Sequence, residues 1–148
     1  MPSFRRATSD DIPAMSAIRL GVTENILSDP SRVTRQMYVD YLETLGRGWV
    51  AEVDGVVVGF SYANNTDGSI WALFLSKQFE GRGIARHLLD LAVAWLFAQG
   101  HDAVQLSTGT QTRADRFYHA QGWTRERVDG KDAHYVLNKS KRTLPAAL

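Results

Sequence analysis

The stretch SIWALFLSKQFEGRGIARHLL, residues 69–89, decides how the chain folds. Its first seven residues are nearly all apolar, which is typical of a central strand buried on both faces. A stripe of apolar residues at helical spacing comes after them: Ile84, Leu88, Leu91, Ala92 and Trp95. The switch of period predicts a strand, a glycine-containing turn and then an amphipathic helix.

The glycine loop, residues 80–86, carries a pattern that favours anion binding. A helix N-terminus presents unpaired N–H groups and a partial positive charge. Gly81 and Gly83 allow close approach of a ligand to the backbone, while Arg82 and Arg86 add cationic donors. An ordinary strand-to-helix turn with surface arginines is the alternative. A Walker A loop lacks its Gly-Lys-Ser/Thr here, and a dinucleotide fingerprint lacks its third glycine.

The remaining pattern predicts one domain. Strands are predicted at residues 3–7, 49–53, 56–63, 69–75, 103–107, 123–128 and 133–137, with Asp-Gly turns in two hairpins. The first predicted helix is capped by Thr8 or Ser9, with Asp10 and Asp11 in its first turn. The others are predicted from Met37 to Leu45, where Gly46 and Gly48 end the helix, from residue 84 and over 112–121. The order predicts an α/β (α+β) fold whose mixed, mostly antiparallel sheet of six to seven strands carries helices on both faces. The domain spans residues 1–137, and 138–148 form a basic tail.

Composition excludes several classes of function. The 148 residues carry a formal net charge of +1, which gives no global attraction to nucleic acid or to a membrane. The longest apolar stretch, near 88–98, contains Asp90 and is too short to span a bilayer. The four histidines lack metal-ligand spacing, so no metal is expected. No cysteine is present, and the N-terminal residues lack a signal-peptide pattern, so we expect a cytoplasmic protein.

Two motifs in residues 69–123 resemble the GCN5-related N-acetyltransferase (GNAT) family. The first is the apolar strand followed by EGRGIARHLL, which is similar to the family's Gln/Arg-x-x-Gly-x-Gly/Ala motif with Glu80, Gly83 and Ala85 at its positions. Glu80 departs from the family's Gln or Arg. A shifted register over residues 78–83 restores the glutamine but displaces the helical stripe.

The second motif lies in TRADRFYHAQGW, residues 112–123. Its matching residues are Ala114, Phe117, Tyr118, Gly122 and Trp123, which fit the family's A-x-x-F-Y-x-x-x-G-F/W. The family's upstream asparagine is replaced by Gln111 or Thr112. The segment FRRAT with DDI, near the N-terminus, also resembles the family's first strand and helix.

The resemblance implies that the chain binds acetyl-coenzyme A. The acetyl group would pass directly to a primary amine of a small molecule or peptide, without an acyl-enzyme. Leu73, Phe74 and Leu75 match the strand positions that bind the cofactor in the family. Together with the glycine loop they give the predicted cofactor residues: Leu73, Phe74, Leu75, Gly81, Arg82, Gly83, Ile84, Ala85 and Arg86. Backbone groups of the strand would pair with the pantetheine arm like an added strand.

Catalytic and acceptor residues are less well defined by the pattern. Tyr118 matches the family's general acid, and Glu24, in a loop that borders the acceptor site in this family, is our candidate base. The other candidate bases are Asp29, Glu52, Asp67, His134 and water. Asn25 and Trp71 are the predicted acceptor contacts.

Two other classes of function stay open at this point. A coenzyme A-binding regulatory module without turnover fits the same motifs, and Glu80 lends it support. A nucleic-acid module that uses the Lys/Arg tail is disfavoured by the net charge and by the lack of aromatic–basic interleaving. The family often dimerises, so a homodimer is one assembly that the resemblance allows.

Overall fold

The computed structural model of the chain describes residues 2–21, 36, 39 and 45–139. The strands within those residues are β1 Ser3–Arg6, β2 Gly46–Val53, β3 Val56–Asn64, β4 Ser69–Leu75, β5 Ala103–Gly109, β6 Thr124–Asp129 and β7 Asp132–Asn138. The helices are α1 Ile12–Gly21, α2 Ile84–Ala98 and α3 Arg113–Ala120, with 3-10 turns at Ser9–Asp11 and Lys77–Phe79. Residues 36 and 39 are helical as well.

The strands form one sheet in the order β1-β2-β3-β4-β5-β7-β6. Every neighbouring pair is antiparallel except β4 and β5, which run parallel because the crossover helix α2 connects them. The prediction of a mixed, mostly antiparallel sheet of six to seven strands is confirmed.

Successive side chains of a strand point to opposite faces of the sheet, so the core has two parts, one on each face. In β2, Trp49 and Ala51 pack on the side of α2, whereas Val50 packs on the side of α1. Met15 of α1 is fully buried against that second side, and Leu88 of α2 is fully buried against the first. Helices therefore cover both faces, as predicted.

The start of β2 differs from the prediction. Gly46 and Gly48 lie inside β2, opposite Asn64 and Tyr62 of β3, instead of ending the preceding helix. β2 pairs with the long strand β3 from Gly46 onward, so it begins before the apolar run at 49–53 from which it was predicted. Of the predicted helix at 37–45 only residues 39 and 45 are described, and of the predicted tail only 138 and 139.

Gly59 of β3 is a glycine because its surroundings leave no room for a side chain. A Cβ atom there would lie 2.8 Å from Leu75 Cδ1, 3.1 Å from the carbonyl oxygen of Phe74 and 3.2 Å from Leu88 Cδ1. This close approach lets α2 pack directly over β3 and β4. The position of the glycine loop, at the start of α2, therefore depends on Gly59.

We expect Gly59→Ala to lower the free energy of unfolding by about 1–3 kcal/mol, the usual cost of overpacking a core. The Leu75 side chain can rotate away, but the Phe74 carbonyl belongs to the β3–β4 ladder and must move. Urea unfolding followed by tryptophan fluorescence measures the change.

Ser107→Ala, at an exposed position of β5, is the control and should stay within about 0.5 kcal/mol of wild type. An unchanged urea midpoint for Gly59→Ala would contradict the packing argument.

Candidate functional site

The two halves of the sheet separate between β4 and β5. These strands share one register pair, Ser69 opposite Gln105, where the Gln105 N–H donates to the Gly68 carbonyl over 3.1 Å. Trp71 is then bulged out of the β3–β4 ladder, since Ala72 pairs with Tyr62 and residue 70 with residue 63. A bulge bends its strand, so the end of β4 runs away from β5. The edge of residues 72–75 that faces β5 therefore has no strand partner among the described residues.

The glycine loop lies at the open end of this gap. Gly81 and Gly83 have φ angles of 79° and 81°, in the left-handed region that favours glycine. A Cβ at either position would meet nothing within 4 Å, so open space adjoins both residues. The first hydrogen bond of α2 runs from the His87 N–H to the Gly83 carbonyl. The N–H groups of residues 84–86 thus precede the helical ladder and can bind an anion.

A cavity of about 980 Å³ connects the gap to the glycine loop. It is lined from both faces of the sheet, by Ala17 and Ile18 of α1 on one side and by residues of α2 and α3 on the other. Eight of the residues predicted to bind the cofactor line it: Leu73, Phe74, Leu75, Gly81, Gly83, Ile84, Ala85 and Arg86. Arg82 does not line the cavity. Its guanidinium lies 5.3 Å from the centre of the Phe79 ring, on the exposed side of the loop.

Tyr118, the predicted acid, lines the same cavity from α3. Its ring packs against Phe117, Trp123 and Tyr135 at centroid distances of 5.3 to 5.9 Å, and only 6% of the residue is exposed. Burial raises the pKa of the Tyr118 phenol above its usual value, because the phenolate would lose its hydration. At neutral pH the side chain is therefore protonated, and it can donate a proton but not accept one.

A buried carboxylate holds the turn that leads into α3. Asp115 accepts hydrogen bonds from the Tyr135 hydroxyl and, at 2.9 Å, from the N–H of Gln111, whose φ of 60° is in the left-handed region. The Thr112 hydroxyl caps the helix by accepting from the Asp115 N–H at 3.1 Å. These bonds fix α3, and with it the position of Tyr118. The hydrogen bonds from Tyr135, above all, and from the Gln111 N–H hold the pKa of the Asp115 carboxyl below its usual value.

Charged residues that the sequence analysis did not single out complete the wall. They are Lys77, Arg113 and Arg116, together with Glu80, which was noted there as a departure from the motif. Arg113 and Arg116 are three residues apart in RADRFYHA, the spacing of neighbours on one face of a helix. That spacing was visible in the sequence, but the side of α3 that faces the glycine loop was not. The Arg113 Nε lies 3.4 Å from Glu80 Oε2, across the cavity wall.

The other candidate bases that the structure describes lie away from the cavity. Glu52 of β2 forms an ion pair with Arg5 of the neighbouring strand β1. Asp67 accepts from the Ser69 N–H at 3.0 Å in the β3–β4 turn, at the opposite end of β4 from the glycine loop. The His134 Nε2 lies 3.2 Å from Asp129 Oδ2 in the last hairpin.

Trp71 is the predicted acceptor contact that the structure describes, and its role stays a prediction. Glu24, Asn25 and Asp29 lie outside the described residues. Trp71 does not line the cavity. Its ring lies on the α1 face of the sheet, 5.4 Å from the Tyr62 ring and 5.4 Å from the Arg19 guanidinium carbon.

Metal binding and membrane insertion find no support in the described part of the chain. Residues 2–21, 36, 39 and 45–139 contain no group of three or more His, Cys, Asp or Glu side chains that could hold a metal ion. Among those same residues, no helix is both long enough and apolar enough to cross a membrane.

Sequence comparisons link the chain to one family. The model of the acetyltransferase (GNAT) family matches residues 16–123. N-acetyltransferase family 8 member 2 of Rattus norvegicus is 31% identical over 113 residues, which are 70% of this chain and 47% of that protein. An uncharacterized N-acetyltransferase of Archaeoglobus fulgidus is 32% identical over 91 residues, which are 55% of this chain and 62% of that protein. The aligned segments thus cover less than two thirds of either relative.

Solved structures share the fold. The PaiA N-acetyltransferase of Thermoplasma acidophilum, in complex with coenzyme A, superposes with a TM-score of 0.79 at 16% identity, covering 93% of this chain and 99% of that chain. YncA, a putative acetyltransferase of Salmonella typhimurium with its cofactor acetyl-CoA, has a TM-score of 0.76 at 17% identity and covers 100% and 99%. At these identities the likeness shows the architecture of the sheet and helices alone.

We expect Asp115→Asn to lower the free energy of unfolding at pH 7 by about 1–3 kcal/mol, because the carboxylate accepts bonds that an amide accepts less well. The pKa of Asp115 is lowered by folding, so its contribution is present above the unfolded pKa of about 3.9 and is lost as the pH falls through the folded value. Urea unfolding of both proteins at pH 7 and pH 3 tests this. The wild-type advantage should shrink at pH 3, and an equal advantage at both values would contradict the charge argument.

Proposed function

The chain belongs to the GNAT acetyltransferase family, and from that premise we propose that it is an N-acetyltransferase that moves the acetyl group of acetyl-coenzyme A to a primary amine. The observation that carries the proposal is the cavity that joins the glycine loop, the unpaired edge of β4 and Tyr118. The acceptor is a small molecule or a peptide. The reaction takes place in one domain, residues 1–137, and the cytoplasmic location and the homodimer stay predictions.

The residues present fit the cofactor. Open space beside Gly81 and Gly83 and the unpaired N–H groups of residues 84–86 suit a diphosphate, and Arg86 adds a positive charge. The unpaired edge of β4 offers backbone donors and acceptors to the amide groups of the pantetheine arm. When bound, acetyl-coenzyme A supplies an activated acetyl thioester.

The reaction needs two proton transfers, one to the leaving sulfur and one from the amine. The phenolic oxygen of Tyr118 donates the proton that the leaving sulfur needs, since burial keeps this group protonated. Glu24 accepts the proton that the amine loses, or a water molecule does so. The cavity reaches the α1 face through Ala17 and Ile18. This supports assigning the acceptor side to Glu24 and Asn25, which follow α1 in the sequence.

Two measurements test the function. Acetyl-coenzyme A should raise the melting temperature, because a ligand that binds only the native state stabilises it by mass action. Thiol release with a panel of primary amines should then identify the acceptor, and the chain adds no background since it contains no cysteine. Absence of a melting shift at millimolar cofactor would overturn the proposal. Binding without thiol release from any amine would favour the regulatory module, which the carboxylate of Glu80 beside the glycine loop also favours.

We expect Tyr118→Phe to lower kcat about 100-fold, the range of a lost general acid, while the KM for acetyl-coenzyme A stays within about threefold. The hydroxyl makes no hydrogen bond to the described residues, so the melting temperature should hardly change. Because the pKa of Tyr118 is raised by burial, no loss of wild-type activity between pH 7 and 9 should come from this group. Equal losses of turnover and cofactor affinity would make Tyr118 a structural residue.

We expect Gly83→Val to abolish measurable cofactor binding, because the side chain would fill the open space beside the loop. The substitution also strains a backbone with φ of 81°, so Gly130→Val is the matched control, with φ of 58° in the β6–β7 turn and equally open surroundings. Calorimetric titration with coenzyme A should show binding by the control alone. Unimpaired binding by Gly83→Val would mean that the glycine loop does not hold the cofactor.

A further inference from the structure

Glu80 places a carboxylate in the wall of the cavity, next to Gly81. The residue that occupies this position in the family's motif is a glutamine or an arginine. A negative charge beside a site for a diphosphate weakens binding unless another charge compensates it. The site therefore needs a cation close to Glu80.

Arg113 is that cation. Its Nε lies 3.4 Å from Glu80 Oε2, and it too lines the cavity, from the first turn of α3. The side chain of Glu80 is 33% exposed and that of Arg113 is 58% exposed, so a bound ligand would meet both charges. The pair connects two segments that are far apart in sequence and lie on either side of the cavity.

We propose that Glu80 and Arg113 form a positioning pair for the cofactor's diphosphate, in which Arg113 neutralises the Glu80 carboxylate and Glu80 holds the guanidinium against the cavity. This inference rests on the proposed function, because it assumes that coenzyme A occupies the site. It assigns to Glu80, which departs from the family's motif residue, and to Arg113 the charge balance that the motif residue provides elsewhere.

Folding stability explains the Glu80–Arg113 contact less well than cofactor binding does. An ion pair that is this exposed contributes little to the free energy of unfolding. Its effect on a bound diphosphate is larger, because the charges act on the ligand directly. Glu80 is the one acidic residue that lines the cavity in the described part of the chain. The other charged lining residues are cationic: Lys77, Arg86, Arg113 and Arg116.

A double-mutant cycle tests the pair. The dissociation constant for coenzyme A is measured by calorimetry for wild type, Glu80→Gln, Arg113→Gln and the double variant. Arg113→Gln should weaken binding about tenfold, since it leaves the carboxylate uncompensated. Glu80→Gln should change affinity less than about threefold, and in the Arg113→Gln background it should recover most of the loss.

Salt and two control variants separate this coupling from general effects. The loss in Arg113→Gln should shrink in 0.5 M NaCl, because screening weakens the repulsion from Glu80. Arg127→Gln, which removes the same charge from the exposed strand β6, should leave binding unchanged. Glu80→Gln should not rescue Arg116→Gln, although Arg116 lies on the same helix and lines the cavity.

Dephospho-coenzyme A identifies the phosphate that the pair contacts. This ligand keeps the diphosphate and lacks the 3′-phosphate, so Arg113→Gln should weaken its binding by the same factor. A loss seen only with coenzyme A would overturn the assignment to the diphosphate.

Three further outcomes of the calorimetry would overturn the Glu80–Arg113 pair. Additive effects of the two substitutions, or wild-type affinity in Arg113→Gln, would overturn the pair while leaving the proposed function intact, since wild type would still bind. Failure of wild type itself to bind coenzyme A would overturn the proposed function and this inference with it.

Discussion

The cavity exists because the parallel pair β4–β5 is joined at a single position, Ser69 opposite Gln105. All other neighbouring strands pair along most of their length, so the ladder is continuous within each half of the sheet. The bulge at Trp71 comes directly after the shared pair and bends β4 away. In a continuous sheet the backbone N–H and C=O groups at this edge of β4 would form hydrogen bonds with β5. Here they lie at an open edge, and leaving such groups unpaired in a buried strand costs free energy unless a ligand or water binds them.

The electrostatics of the site are local, since the formal net charge of the chain is only +1. Attraction for an anion comes from the N–H groups at the start of α2, where the helix dipole is positive, and from arginines in two helices. Gly81 and Gly83 let a ligand approach those groups closely. The carboxylate of Glu80 acts against this attraction, and its contact with Arg113 offsets that effect.

Features set by short-range pattern could be predicted from the sequence, and features set by packing could not. Gly83 was identified because the turn between a buried strand and an amphipathic helix is encoded within a few residues, and its φ of 81° agrees. Arg113 was missed because its place at the cavity depends on how α3 is held by Asp115 and Tyr135, which come together only in the folded sheet. The acceptor role of Trp71 stays a prediction, but the bulge at this residue could not be predicted, because alternation in the sequence indicates an unbroken strand.

Burial of Tyr118 has two opposing effects on its role as an acid. A phenol of pKa about 10 is already weaker than a thiol of about 8.5, and burial raises the pKa of Tyr118 further. Burial also penalises any other anion in the same cavity, so a thiolate formed beside Tyr118 becomes a stronger base than it is in water. Burial of both groups raises both pKa values, so the difference between them is smaller than the difference between a buried phenol and a thiol in water. The aromatic wall of Phe117, Trp123 and Tyr135 is therefore compatible with proton donation, provided that the sulfur leaves within hydrogen-bonding distance of the phenol.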